Sequence, residues 1–405
     1  MSRSLSRRSM LAASGAAAAG AAVLATASLP QSLAAAARSF TDGAHQAGIA
    51  TAVQDHLVFA TFDLTTNSPA DLERLLVTWT GAIKALVVGQ ALAGSGVLEA
   101  PPADTGEAAG SPAAGLTVTV GFGPALFEAL PALQARRPAL LQELPSFPGD
   151  QLDPGRSGGA ICLQACAQDP IVAFHAVRNL ARLGLGTVAL RAFQVGTGRT
   201  TASGRSEGTP RNLLGFKDGT NNLVGSDQKA MDRYVWVGDE TDQAWLRGGT
   251  YLVARRIRTH LEVWSSLSLD AQQQVIGRFR ASGAPLSGRH EHDAVNLDAV
   301  NNLAQPLIAP SAHIRVAAPS LNGGTKILRR GYNFTDGVDP KTGELDAGLF
   351  FICFQKNPTT QFVALQARLA ANDALSNYTT HTSSALFAIP PAPTPGSAIG
   401  AALFS

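Results

Sequence analysis

The segment His56–Leu86, HLVFATFDLTTNSPADLERLLVTWTGAIKAL, decides how the rest of the chain is read. Its first nine residues, His56–Leu64, form a mostly apolar run of strand length. The spacing then changes. Ser68 can cap a helix, Pro69 suits the first helical position, and Leu72, Leu75, Leu76, Trp79 and Ile83 fall on one helical stripe. A strand leading directly into an amphipathic helix argues for a domain that mixes both elements around one core.

Working outward, the same alternation recurs. Leu116–Phe122 and Gly159–Ala167 read as strands, Asp169 and Pro170 open a helix, and Thr187–Val195 closes the set as a strand. The Ala/Gly/Pro-rich stretch 93–115 has no periodicity and reads as a surface insertion. GTGRTTASGRSEGTPRN, Gly196–Asn212, has the composition of a linker. Beyond it a similar order returns. Thr250–Arg258 looks extended, helical pieces lie around 260–264 and 268–279, and TKILRRGYNF and LFFICFQ read as strands. TQFVALQARLAAND is a helix with Phe362, Leu365 and Leu369 on one face, and SSALFAIP is a last strand. The expected fold class is α+β, in two halves that are each an antiparallel sheet covered by helices.

The chain has 405 residues, 45% of them hydrophobic, so it can bury a sizeable core in about two domains. A net charge of +2 offers no broad basic field for nucleic acid. Three cysteines make no disulfide framework. Cys162 and Cys166 stand four apart on one predicted strand, too far to bridge. There is no CxxCH for covalent haem attachment.

The N-terminus reads as an export signal. Arg7 and Arg8 precede a long, weakly hydrophobic Ala/Gly-rich run that Pro30 interrupts, and small residues up to Ala37 offer cleavage sites. The run is long enough to span a membrane, but its weak hydrophobicity favours cleavage over anchoring. The paired arginines are similar to a twin-arginine signal, with Met10 in place of the usual Phe. The expected boundaries are a signal at 1–37, an N-terminal half at 38–213 and a C-terminal half at 214–405. No membrane span is expected in the mature form.

Candidate chemistry is sparse. GFKDGTNN, Gly215–Asn222, holds Asp218 in a Gly-x-x-Asp-Gly turn, where the acid could work at a site or only shape the turn. His56 and His175 sit in apolar patterned segments and read as packing residues. His290 and His292, in RHEHD, could be metal ligands by type, but their i, i+2 spacing and polar surroundings read as a solvated loop. His313 precedes an apolar, strand-like piece, and on the residues alone it reads as a satisfied core histidine.

Several segments together resemble one family. GIATAVQDHLVFATFDL, CLQACAQDP, GFKDGTNN, AHIRVAAP, ILRRGYNF, GLFFICFQ and LAANDALSNY are similar, in that order, to segments of the dye-decolorising peroxidases, in their exported, deferrochelatase-like class. The resemblance spans nearly the whole mature chain. It implies two ferredoxin-like halves and one non-covalent haem b in the C-terminal half. It makes His313 the iron ligand and Asp373 the acid that hydrogen-bonds that histidine. Asp218 and Arg329 become the catalytic pair on the opposite, peroxide-binding face, with Arg330 as the rival arginine. Leu349 and Phe351 become apolar lining of the haem pocket.

Those roles make chemical sense. Peroxide must lose a proton from one oxygen and gain one on the other before its O–O bond breaks, and a positioned carboxyl group can carry that proton. A guanidinium stabilises the departing negative charge. A carboxylate on the second ring nitrogen strengthens an imidazole as an iron donor. The glycines beside Asp218 would let the turn approach the haem closely.

The expected function is therefore a haem peroxidase that reduces hydrogen peroxide and oxidises bulky phenolic or dye-like donors in one-electron steps. Release of iron from haem, and haem carriage without turnover, are the alternatives. The resemblance also implies the twin-arginine export machinery as a partner, and it leaves a homo-oligomer open. Trp236, Tyr251, Tyr332 and Tyr378 could pass electrons to the surface, although packing is the simpler role for most of them.

Overall fold

A computed structural model describes residues 43–94, 97–198 and 208–405. The expected signal at 1–37 lies outside the described residues, as does most of the Gly196–Asn212 linker.

The first half runs β1 (His56–Leu64), a helix Pro69–Leu86, β2 (Thr117–Phe122), β3 (Ile161–Ala167), a helix Pro170–Leu183 and β4 (Val188–Thr197). Local chemistry sets the helix starts. The Ser68 side chain accepts from the Asp71 amide, and Asp169 accepts from Ile171 and Val172, each with proline next in line. Such caps are worth about 1 kcal/mol. The strands pair antiparallel in the order β2-β3-β1-β4, a ferredoxin-like sheet.

The second half repeats this plan with β5 (Thr250–Thr259), helices Leu261–Ser266 and Leu269–Ile276, β6 (Leu328–Arg329), β7 (Tyr332–Val338), β8 (Leu345–Gln355), a helix Ala364–Asn372 and β9 (Thr379–Ile389). Its order is β9-β5-β8, with β6 and β7 sharing the far edge of β8. The pairs Arg329↔Cys353 and Tyr332↔Phe350 keep one register, so β6 and β7 run as a single line.

Single pairs, Phe122↔Ala388 and Thr197↔Asn333, join the two sheets at their edges. The sheets pack face to face, with Leu57, Phe59, Cys166, Phe350, Phe354 and Phe387 buried between them. Alternate residues point the other way. On the outer face of the first sheet, Leu72, Leu75, Trp79, Ile83, Val177 and Leu180 are buried in one core cluster. Trp79 is fully buried, and its indole N–H donates to the Leu180 carbonyl at 2.8 Å, tying the two helices together. Truncating such a side chain costs about 3–5 kcal/mol. On the outer face of the second sheet the covering helices stand away from Ile257, Leu349 and Phe351, and a cavity of about 660 Å³ remains.

The insertion 93–115 is held down by His175. This residue is 6% exposed, with Nδ1 2.9 Å from Glu107 and Nε2 3.4 Å from Asp104. All three cysteines are free and buried. Among the described residues no helix is long and apolar enough to cross a membrane.

Candidate active site

One wall of the cavity is helical. His313 opens a four-residue helix, His313–Val316, rather than the strand-like piece expected from its sequence. Ile and Val there favour a strand intrinsically, but no neighbouring strand pairs with them, and the Ala317 amide closes a helical turn onto the His313 carbonyl. The His313 Nδ1 and the Asp373 Oδ2 are 2.6 Å apart. Asp373 lies between the helix Ala364–Asn372 and the next turn, and its Oδ1 accepts from the Leu375 amide at 2.9 Å. With both carboxylate oxygens engaged, Asp373 holds the proton on Nδ1 and leaves Nε2 as a free donor atom. Burial alone would lower the His313 pKa. The Asp373 charge outweighs it and raises the pKa above the ordinary value.

The opposite wall is built by β6, β8 and the Gly215–Asn222 turn. Arg329 Nη1 donates to Asp218 Oδ1 at 2.7 Å, and both residues border the cavity. The same turn also grips the arginine backbone. Arg329 N donates to Asn222 Oδ1 at 2.9 Å, and Asn222 Nδ2 donates to the Arg329 carbonyl at 2.7 Å. Lys217, beside Asp218, is paired with Glu291, which also accepts from Thr220. Burial works to raise the Glu291 pKa, but hydrogen bonds from Lys217, Thr209 and Thr220 hold it down to about 2. The lysine charge is thereby paired with Glu291. Gly215 and Gly219 have φ of +84° and +125°. Backbone conformation, rather than crowding by other parts of the protein, is what requires glycine there, since an added Cβ would meet only ordinary contacts at 3.5 and 3.4 Å.

Arg330 points away from this wall. It is 2% exposed and donates to the Thr51 and Ala52 carbonyls and to Gln54. Leu349 and Phe351, on the outer face of β8, line the cavity floor. His290 and His292 are exposed, and Trp236, Tyr251 and Tyr332 are buried. Tyr378 is half-buried, edge-on to Trp264 at 5.3 Å. A second cavity, of about 550 Å³, reaches Asp218 and Arg329 from the side of Gln54, Arg211 and Arg330.

Asn222 is legible as a residue type in the motif, but its grip on Arg329 spans 107 positions and has no sequence signal. Asp150, Arg255 and His381, which meet at the cavity floor, are missed altogether by sequence reasoning.

The donor set suits an iron porphyrin. A large cavity presents the His313 imidazole with a free Nε2 on one wall and an acid–arginine pair on the other, with apolar side chains between. Comparison with known proteins agrees. Residues 46–197 match the Dyp-type peroxidase N-terminal family model, and residues 209–394 match its C-terminal counterpart. The chain is 42% identical over 301 residues to a dye-decolorizing peroxidase of Thermobifida fusca, covering 73% of this chain and 69% of that protein. It is 36% identical over 342 residues to the deferrochelatase of Escherichia coli K12, covering 83% and 80%. The oxyferrous complex of DtpA from Streptomyces lividans superposes with a TM-score of 0.83 at 36% identity, covering 90% of this chain and 97% of that one. A DyP-type peroxidase from Streptomyces coelicolor does so at 0.83 and 37% identity, covering 89% and 95%. The cofactor is a non-covalently bound haem b. With both halves matched in order and the cavity furnished for haem, the chain belongs to the Dyp-type peroxidase family.

Proposed function

We propose that this chain reduces hydrogen peroxide to water and draws the two electrons singly from bulky phenolic or dye-like donors. The observation that carries this reading is the 2.7 Å contact between Asp218 and Arg329 on the cavity wall, with His313 bordering the same cavity. Haem, when bound, would supply the redox-active iron centre for peroxide reduction and donor oxidation.

The residues have separate tasks. His313 Nε2 would hold the iron, and Asp373 keeps that ring oriented and electron-rich. Asp218 has Oδ1 committed to Arg329, so Oδ2 takes the proton from one peroxide oxygen and returns it to the other. Arg329 offers its remaining N–H groups to the oxygen that leaves as water. Leu349 and Phe351 keep bulk water off the floor of the site. The second cavity gives peroxide an approach to the same pair.

Turnover of an anthraquinone dye by haem-loaded protein is the direct test. Peroxide-dependent bleaching supports the reading, and none at any pH between 3 and 8 defeats it. The similarity to a deferrochelatase across 83% of the chain favours a second reading, release of iron from haem with the porphyrin left intact. Fluorescence of iron-free porphyrin, without bleaching of dye, would select it.

Residues 38–213 and 214–405 form the two halves in this reading, and the second holds the haem. Arg7 and Arg8 send the chain, already folded and loaded, through the twin-arginine route. Replacing both with lysine should abolish export while haem-loaded protein collects in the cytosol. Fractionation with haem absorbance checks this, and undiminished export of the double variant would point to another route.

A further inference from the structure

His381 lies on β9 opposite Ile257 of β5, which in turn lies opposite Leu349 of β8. Directly opposed residues share a face of a sheet, so the three form one row across the cavity floor. All three border the cavity. His381 is the polar member of that row.

A buried network fixes its state. Arg255 Nε is 3.1 Å from His381 Nδ1. A guanidinium can only donate, so Nδ1 must be the acceptor and the ring proton must sit on Nε2. Arg255 is itself held by an ion pair to Asp150, with side chains 0% and 1% exposed. Asp150 comes from the first half of the chain, and the Gln151 amide donates to the His381 carbonyl at 3.0 Å, so this loop is strapped to β9. The Phe147 ring packs under the guanidinium at 5.3 Å. Burial and the Arg255 charge push the His381 pKa down to about 3, which keeps the ring neutral in ordinary solution.

Two costs need an explanation. A fully buried ion pair is expensive to maintain. The Nε2–H of His381 has no hydrogen-bond partner among the described residues, and filling the cavity would bury it. Protohaem carries methyl, vinyl and two propionate groups at its rim, and only the propionates accept hydrogen bonds.

We infer that His381 is a haem-positioning residue whose Nε2–H donates to a propionate carboxylate, and that Asp150 and Arg255 exist to lock that donor tautomer. The N-terminal half therefore takes part in haem retention through Asp150, although the iron ligand and the acid–arginine pair all lie in the C-terminal half. Because a carboxylate acceptor makes the hydrogen bond charge-assisted, its loss is worth about 10–100-fold in haem retention.

The test crosses two changes. Wild type, His381→Leu and His381→Gln are each loaded with protohaem or with protohaem dimethyl ester, which lacks the carboxylates. Release is timed by transfer to excess apomyoglobin. Leucine fills the space without a donor, whereas glutamine keeps a neutral donor and can still accept from Arg255. We expect His381→Leu to release protohaem about 10–100-fold faster than wild type. The ester should leave both proteins at similar rates, and His381→Gln should stay near wild type with protohaem. Equal acceleration for haem and ester would show a packing role only and overturn the inference. So would unchanged release of protohaem from His381→Leu. If His381→Leu does not fold, His381→Gln with the two haems decides: a wild-type preference for the free acid over the ester supports the inference, and loss of that preference overturns it.

Discussion

Arg329→Leu slows the first spectral change after mixing with peroxide by about 10²–10³-fold at every pH, as expected for removal of a preorganised charge from the departing oxygen. Asp218→Asn slows the same change by about 10²–10⁴-fold, and its deficit varies with pH. The contrast follows from the side chains. A guanidinium stays charged throughout the working range, whereas a carboxyl group can accept a proton only when ionised and return one only when protonated. The two residues touch at 2.7 Å, so their effects should not add, and the double variant should be little worse than the poorer single one. Stopped-flow absorbance at several pH values is the measurement. A wild-type rate in Asp218→Asn throughout would remove Asp218 as the proton carrier. The Gly-x-x-Asp-Gly turn would then be left to place Asn222 against the Arg329 backbone.

His313→Ala loses most of its haem on desalting, with the fold retained in circular dichroism. The helix that His313 opens is only four residues long, and the side chain is 35% exposed, so little packing is lost. What disappears is the imidazole Nε2 that Asp373 holds in place. Added imidazole should enter the vacated space and restore part of the haem absorbance, which a merely destabilised protein would not show. Normal haem content with an unaltered spectrum in His313→Ala would point to another ligand. Asp373→Asn tests the carboxylate behind the His313 ring. It should retain haem but alter its absorbance spectrum and slow the first spectral change with peroxide in the stopped-flow, because a neutral amide no longer draws the Nδ1 proton.

Much of the fold is legible in the sequence. Apolar spacing within Pro69–Leu86 and Pro170–Leu183 and the capping residues Ser68 and Asp169 act within a few positions, so periodicity alone locates those helices. The joining of the two sheets into one body was not legible. It rests on two edge pairs, Phe122↔Ala388 and Thr197↔Asn333, between residues far apart in sequence. The helix at His313 is hidden in the sequence for a related reason. Four residues carry too little periodicity to outvote the strand preference of Ile and Val, and only the missing partner strand decides against it.

The candidate site divides in the same way. Residue types and their order, an acid between glycines, a lone histidine, two adjacent arginines and an acid at a helix end, are properties of the chain as written, and they determined the family resemblance. Which arginine meets Asp218 is decided only by register. Side chains of neighbouring strand residues face opposite sides, so pairing of Arg329 with Cys353 sends Arg329 to the cavity and Arg330 toward Thr51 and Gln54. A slip of one residue would exchange them. Likewise Asp150, Arg255 and His381 are separated by 105 and 126 positions. Nothing local marks them, because the reason for their identity, a buried charge holding one tautomer, exists only after the two halves have packed.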